Sequence, residues 1–235
     1  MHPTPPYRIS IMALSHDELR NETRKGYDNI APRYLEWTQP TFQWRLDYLQ
    51  KVLTEFEACD DNVKEVNVLE LGCGAGVPTT QALAAHPNFA VTANDISGAQ
   101  IALAKERLPS SVKLIEGDMM SLEFPPGTFD LVVAMYAIIH LPRDDQVVLL
   151  HRLFNWLKPG GWFLANFAVE AVELASDPTW LGCTKGNISW SSWGAQRTCE
   201  ILTGVGFDIS VRELTKELED AGEASFIWVI ANKKK

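Results

Sequence analysis

An α/β fold built around a largely parallel β-sheet is predicted by three features of this sequence. From Val66 onward, short runs rich in Val, Ile, Leu and Phe alternate with alanine- and leucine-bearing stretches of helical spacing, the pattern of strands joined by crossover helices. Those strand runs end in Gly or Asp, residues that stop a strand and open a turn. With 235 residues, of which 46% are hydrophobic and 22% charged, the chain is long enough to bury one sizeable core, so a single domain over 16–235 is expected.

Taken in order, residues 1–15 are polar and proline-bearing and read as a flexible tail. Segments 17–37 and 42–56 carry apolar residues at helical spacing, which makes 16–60 a pair of N-terminal helices covering the domain. Strands are expected at 67–71, 90–94, 112–116, 129–135, 162–167, 207–213 and 225–231, with helices at 78–85, 98–108, 143–157 and 192–205 between them. The acidic stretch 214–224 reads as a loop, so the last two strands should pair antiparallel at one edge of the sheet. Residues 168–192 are polar and hold Pro178, Gly182 and Gly186; they read as a long substrate-side insertion over the strand ends, of a length that is usually functional. No internal repeat is present, and 233–235 are a solvated lysine end.

Charge and composition narrow the function. Thirty Asp and Glu against 21 Lys and Arg leave a net charge of −9, which disfavours nucleic acid as a partner, because phosphate neutralisation needs an excess of cations. The longest apolar stretch, 131–139, is too short to span a bilayer, and the N-terminus has no basic region followed by a sustained apolar run. A cytoplasmic protein with no membrane partner is expected. The four cysteines at 59, 73, 183 and 199 have no C-x-x-C spacing and no clustered histidines, so they read as free thiols, with no metal site.

The densest signal is NVLELGCGAGVPT at 67–79, a strand running into Gly72, Gly74 and Gly76 and then a helix. Alternating glycines let the backbone turn sharply and come close to a ligand. A dinucleotide fingerprint would need glycine at position 77, where Val77 stands, and no Gly-Lys-Ser/Thr follows for a Walker loop. Asp95 ends the second strand 21 residues after Gly74, where a carboxylate can hold two ribose hydroxyls. Asp118, in EGDM after the third strand, reaches the same crevice, suited to an adenine amino group. Glu70 lies in an apolar strand beside the glycines, where an acid is costly to bury without a partner.

The ordered set ELGCGAG, ANDIS, EGDM and LKPGGWF resembles the class I S-adenosylmethionine-dependent methyltransferases, in the small-molecule branch that includes the ubiquinone-biosynthesis type, over about 27–233. The resemblance implies a Rossmann-like seven-stranded sheet of order 3-2-1-4-5-7-6, with strand 7 antiparallel and helices on both faces. It implies that Glu70, Gly72, Cys73 and Gly74 surround the methionine part of S-adenosylmethionine, that Asp95 holds the ribose, that Ile96 and Met119 flank adenine and that Asp118 meets its amine. Gln100 would contribute from the following helix, and Met135 and Tyr136 would line the cofactor pocket. GYDNIAPRY places Tyr27 and Tyr34 two turns apart on one helix face, like the family's Y-D-x-x-A-x-x-Y segment, which closes over the methionine end. An amphipathic face packed on the sheet would give the same pattern.

On the acceptor side the fourth strand runs into MYAIIHLPRDD with no Asn/Asp-Pro-Pro-Tyr/Phe, which argues against methylation of nucleobase amines and for a small-molecule acceptor. His140 is the candidate general base, with a structural role in the turn before Pro142 as the other possibility; as a base it predicts a rate rising through a pKa near 6.5. Trp180, Trp190 and Trp193 fall in the 168–192 insertion, either as aromatic walls for a flat, apolar or cationic acceptor or as packing. The functions left open beside methyl transfer, which would yield S-adenosylhomocysteine, are a Rossmann-type NAD(P)-dependent oxidoreductase and a non-catalytic cofactor-binding scaffold.

Overall fold

The computed structural model describes residues 14–57, 65–219 and 222–235. The tail expected at 1–15 therefore lies almost wholly outside the described residues, as does Cys59. Helix α1 (His16–Thr38) starts at a capping box in which Ser15 Oγ accepts from Glu18 N and the Glu18 carboxylate accepts from Ser15 N at 2.7 Å, an arrangement worth about 1 kcal/mol. A single 3₁₀ turn, Gln39–Thr41, joins it to α2 (Phe42–Glu57).

The alternating region then gives β1 (Val66–Leu71), α3 (Thr79–Ala84), β2 (Phe89–Asp95), α4 (Gly98–Arg107), β3 (Lys113–Glu116), β4 (Phe129–Ala134), α5 (Arg143–Trp156) and β5 (Leu157–Ala168). A ribbon of β6 (Ala171–Asp177) and β7 (Ile188–Trp193) follows, then α6 (Ala195–Val205), β8 (Asp208–Glu219) and β9 (Gly222–Asn232). The main sheet has the order β3-β2-β1-β4-β5-β9-β8. Its first five strands are parallel, and β9 runs antiparallel to both β5 and β8. Counted within this sheet alone, that is the expected order 3-2-1-4-5-7-6 with the seventh strand reversed.

Side-chain alternation divides the core into two layers. Val66 and Val68 of β1 and Trp228 and Ile230 of β9 pack with Tyr48, Leu49, Val52 and Leu53 of α2; the rings of Tyr48 and Trp228 stack 4.2 Å apart at 2°. Leu69 and Leu71 face the other way, onto Leu149, Leu150 and Leu153 of α5 and Leu202 of α6. Because helices cover both faces, β4 reads Phe-Asp-Leu-Val-Val-Ala with its last four residues fully buried. Strand order reverses at β1, which has β2 on one side and β4 on the other. A crevice therefore opens at the carboxyl ends of these strands.

Two expectations are corrected. The described part of 214–224 is not a loop: 214–219 belong to β8 and 222–224 to β9, with Lys216 opposite Ser225 and Glu217 opposite Ala224. Its acidic composition concealed a strand period, since Leu214 is 67% exposed and Thr215 and Glu217 are buried. The insertion at 168–192 is not a plain loop either. It folds into the two-stranded β6–β7 sheet with a 3₁₀ turn at Trp180–Gly182, and α6 begins at Ala195 rather than 192. Serines hid this strand: Ser189, Ser191 and Ser192 are buried, and Ser191 satisfies its hydroxyl by donating to Leu141 O at 2.6 Å.

Candidate functional site

At the switch point lies an open cleft of about 810 Å³ counted to its mouth. Its floor is the turn after β1. Gly72 and Gly74 have φ of +68° and +55°, and a Cβ on Gly72 would stand 2.5 Å from the Ala137 Cβ, so glycine is required there by both backbone and space. Cys73 N donates to Asn94 O at 2.9 Å, Gly74 N to Asp95 Oδ2 at 2.8 Å and Gly76 N to Cys73 O at 3.0 Å. Three of the loop's N–H groups are thus already spent inside the protein.

Asp95 stands at the end of β2 with Oδ1 accepting from Ser97 N at 2.9 Å. Burial pushes its carboxyl up to about 6, opposed by the backbone N–H groups of Ser97 and Gly74. Beside it, Gln100 is 1% exposed and neither its amide nitrogen nor its oxygen has a partner. Thr23 Oγ on α1 is likewise buried and unpartnered. Unsatisfied buried polar groups are costly, and these two both line the cleft, so they present an unmet demand for a polar ligand. Ile96 and Met119 add apolar wall.

Asp118 also lines the cleft, yet its carboxylate is in use. Oδ1 accepts from Met120 N at 2.8 Å, capping the turn Met119–Ser121, and Oδ2 accepts from Arg20 Nε at 2.6 Å. Arg20, from α1, also pairs with Asp145 and Asp17. At the other end, His140 is half-buried. Its Nδ1 faces Ser189 O at 2.8 Å and its Nε2 faces the Tyr27 hydroxyl at 2.9 Å. A carbonyl can only accept, so Nδ1 carries the proton and Nε2 is the acceptor of the phenol. Burial lowers the imidazole to about 4 and holds the Tyr27 phenol well above its ordinary value.

Of the residues singled out in the sequence, Tyr27, Tyr34, Gly72, Cys73, Gly74, Asp95, Ile96, Gln100, Asp118, Met119, Tyr136 and His140 all line this one cleft. Glu70 and Met135 do not: Glu70 lies beneath the loop, accepting from Thr80 Oγ1 at 2.6 Å, with burial pushing its carboxyl up to about 7, and Met135 Sδ meets Thr79 Oγ1 at 3.8 Å. Nor do the three tryptophans form one cover. Trp180 and Trp190 pack 5.4 Å apart behind the lining, against Tyr27, Tyr34, Trp37 and His140. Trp193 is turned away, with Nε1 donating to Arg143 O and the Arg143 guanidinium 5.0 Å over its ring.

Residues that the sequence reading missed come chiefly from the N-terminal helices: Arg20, Thr23, Thr38 and Arg45. Extending the Tyr27–Tyr34 stripe backward at helical spacing would have reached Thr23 and Arg20. Arg45 carried no such signal.

Against known proteins, the family profile for a methyltransferase domain matches residues 68–161. A 2-methyl-6-phytyl-1,4-hydroquinone methyltransferase of Synechocystis sp. is 30% identical over 167 residues, 59% of this chain and 52% of that protein. A sterol 24-C-methyltransferase of Gibberella zeae is 33% identical over 182 residues, 71% of this chain and 45% of its own. The chain thus spans about half the length of these curated relatives. Among solved structures, the complex of DhpI with SAH superposes with a TM-score of 0.69 at 19% identity, covering 94% of this chain and 99% of that one, a likeness of fold.

Proposed function

We propose that this chain, whose residues 68–161 match the methyltransferase-domain profile, is a class I S-adenosylmethionine-dependent methyltransferase that transfers a methyl group from S-adenosylmethionine to a small-molecule acceptor. The observation that carries this reading over a dinucleotide-dependent one is the state of the glycine loop. A pyrophosphate needs free N–H groups at that turn, but here three are spent on Asn94, Asp95 and Cys73, and the cleft beside them is lined by carboxylates. A nucleoside without phosphates suits that lining.

The residues fit S-adenosylmethionine. Asp95 and the unpartnered amide of Gln100 would hold the ribose, Ile96 and Met119 would enclose adenine with Asp118 at its amine, and Gly72 to Gly74 would pass under the methionine part. Glu70 supports the loop from below through Thr80. When bound, the cofactor supplies a methyl group on a positively charged sulfur. The protein's part is alignment in a water-poor cleft, which can be worth about 7 to 11 kcal/mol. His140 is the base. Its lone pair on Nε2 is directed at the cleft through the Tyr27 hydroxyl, so a proton leaving an oxygen or nitrogen acceptor passes to Nε2, directly or by way of that hydroxyl. Ser189 O fixes the tautomer that makes this possible.

The names of the hydroquinone and sterol methyltransferases support a small-molecule acceptor. The aromatic group of Tyr34, Trp37 and Trp180 near the cleft supports one with a flat, apolar or cationic body. We also place the protein in the cytoplasm, supported by free thiols at Cys73, Cys183 and Cys199. Thermal melting tests the central claim: S-adenosylhomocysteine at a hundred times its Kd should stabilise the protein by about 2.7 kcal/mol, whereas NADPH should leave the melting temperature unmoved. Stabilisation by NADPH alone would overturn the assignment, and cofactor binding with no labelled product from a metabolite extract would mark a scaffold instead of an enzyme.

A further inference from the structure

Asp28 follows Tyr27 in α1 but stands outside the lining of the cleft. Its carboxylate meets the start of α4 instead. Oδ1 accepts from Ser97 Oγ at 2.7 Å and from Ala99 N at 3.2 Å, and Oδ2 pairs with Arg24 at 3.1 Å. Ala99 N is one of the first N–H groups of that helix, which have no partner within it, so a carboxylate there satisfies a donor and meets the positive end of the helix dipole. The first turn of α4 has no acidic residue of its own. Asp28 supplies one from 69 residues upstream of Ser97.

Ser97 carries this contact to the cleft. It is fully buried; its hydroxyl donates to Asp28 and accepts from Gln100 N at 3.2 Å, and its own N–H donates to Asp95 Oδ1 at 2.9 Å. Asp95 and Gln100 both line the cleft, and they are the two residues placed above against the ribose. The Gln100 amide has no partner in the protein, so the first turn of α4 sets where it points. Charge acts in the same place. Burial pushes the Asp95 carboxyl up to about 6, against the N–H groups of Ser97 and Gly74, and the negative charge of Asp28 adds to the rise. The other titratable groups that face Asp95 are Tyr27 on α1, Glu70 on β1 and Cys73 in the glycine loop; burial keeps the phenol and the thiol neutral.

We propose that Asp28 is a positioning residue for the nucleoside: by fixing Ser97 at the start of α4 it places Asp95 and Gln100 against the ribose. The inference rests on the methyltransferase reading and deepens it at the ribose. It ties the ribose end of the cleft to the helix whose Thr23 and Tyr27 line the opposite wall, because α1 cannot move off without releasing Ser97. One carboxylate outside the cleft stands behind two side chains inside it.

Asp28→Asn keeps an oxygen that can accept from Ser97 and Ala99 and removes the charge, whereas Asp28→Ala removes both. In calorimetry with S-adenosylhomocysteine, Asp28→Ala should bind about tenfold more weakly than the wild type, the scale of a lost hydrogen bond to a charged group, and Asp28→Asn should recover most of the loss. NMR of labelled aspartate carboxyls in the ligand-free protein gives the second readout, with Asp95 assigned from its absence in Asp95→Asn. The Asp95 midpoint near 6 should fall in Asp28→Asn, where a like charge is gone and the geometry is kept. In Asp28→Ala it should lie higher than in Asp28→Asn, because Ser97 N no longer donates to the carboxylate. A residue that only holds α1 in place would speed amide exchange in 16–38 and lower the melting temperature of Asp28→Ala, but it would leave the Asp95 midpoints of the two variants equal. Equal midpoints, or unchanged S-adenosylhomocysteine affinity in Asp28→Ala, overturn the proposal. If the wild type does not bind S-adenosylhomocysteine, the methyltransferase reading fails separately, and the Asp95 titrations of the free protein still decide whether Asp28 acts through Ser97.

Discussion

At the scale of the residue, the site depends on groups whose ionisation is set by burial. A histidine in water titrates near 6.5, but His140 is lowered to about 4 because its surroundings cannot solvate the imidazolium. It is therefore a neutral base from about pH 5 upward. With an acceptor that does not itself titrate in that range, the methylation rate should be flat across pH 5.5 to 7.5, without the inflection near 6.5 that a free histidine would give. His140→Gln should lower the rate roughly 10² to 10⁴-fold while S-adenosylhomocysteine affinity by calorimetry stays the same; a weak rate effect with early melting would make His140 a purely structural tie between Tyr27 and Ser189. Glu70 has the opposite shift. Its carboxyl is raised to about 7 by burial against an ordinary value of 4.5, so between those values the folded state holds the extra proton and stability falls as pH rises. Glu70→Gln keeps the hydrogen-bond acceptor for Thr80 and removes the charge. Its stability advantage over the wild type should grow from pH 4.5 to 7 and level off above, by up to about 3 kcal/mol. Parallel denaturation curves at each pH would refute this.

At the scale of the element, α1 lines the cleft and the β6–β7 insertion backs it from behind. Gly186, at φ +85°, sits so close to α1 that a Cβ would lie 2.5 Å from both Glu22 O and Gly26 N. Asn187 N donates to Glu22 O and Thr184 N to Asn29 Oδ1. The neighbours are backbone atoms of a helix and cannot step aside, so Gly186→Ala should part the ribbon from α1. Amide exchange in 20–30 should then speed up and S-adenosylhomocysteine affinity should fall, with protection in β1 and β4 unchanged. If exchange accelerates uniformly through the sheet, the contact supports the whole fold rather than this wall of the cleft.

At the scale of the whole molecule, both layers of the core meet at the sheet, and the hairpin of β8 and β9 links the fold to the cleft. Trp228 on β9 is fully buried, stacked on Tyr48 of α2 and bonded through Nε1 to Thr215 Oγ1 at 3.2 Å. Trp228→Ala should cost about 3 to 5 kcal/mol of unfolding free energy in urea. Because Trp228 also meets Tyr136 at 5.6 Å, the same variant should loosen that ring, over which the Arg45 guanidinium lies at 4.5 Å. A variant of normal stability would show that α2 does not depend on this contact.

The sequence by itself determined what is local to a βα unit. The glycine loop, Asp95 and Asp118 lie at strand ends, and the turn residues and alternating apolar runs that mark those ends are contiguous in the chain, so the strands and the cleft floor could be read directly, while the strand order followed from the resemblance of the ordered motifs to a known family. It misjudged strands whose period was masked by polar residues: Ser189 and Ser191 in β7, Glu217 in β8. Ser191 and Glu217 are held in their buried positions by partners far away, Leu141 and Tyr136. Only the tertiary structure decided how the N-terminal helices meet the sheet. It joined Tyr27 to His140 across 113 residues, Arg20 to Asp118 across 98, and Arg45 to Tyr136. It also sent Trp193 to Arg143 and away from the cleft. Such pairings leave no periodic trace in either segment, because each depends on the packing angle between elements and not on spacing within one.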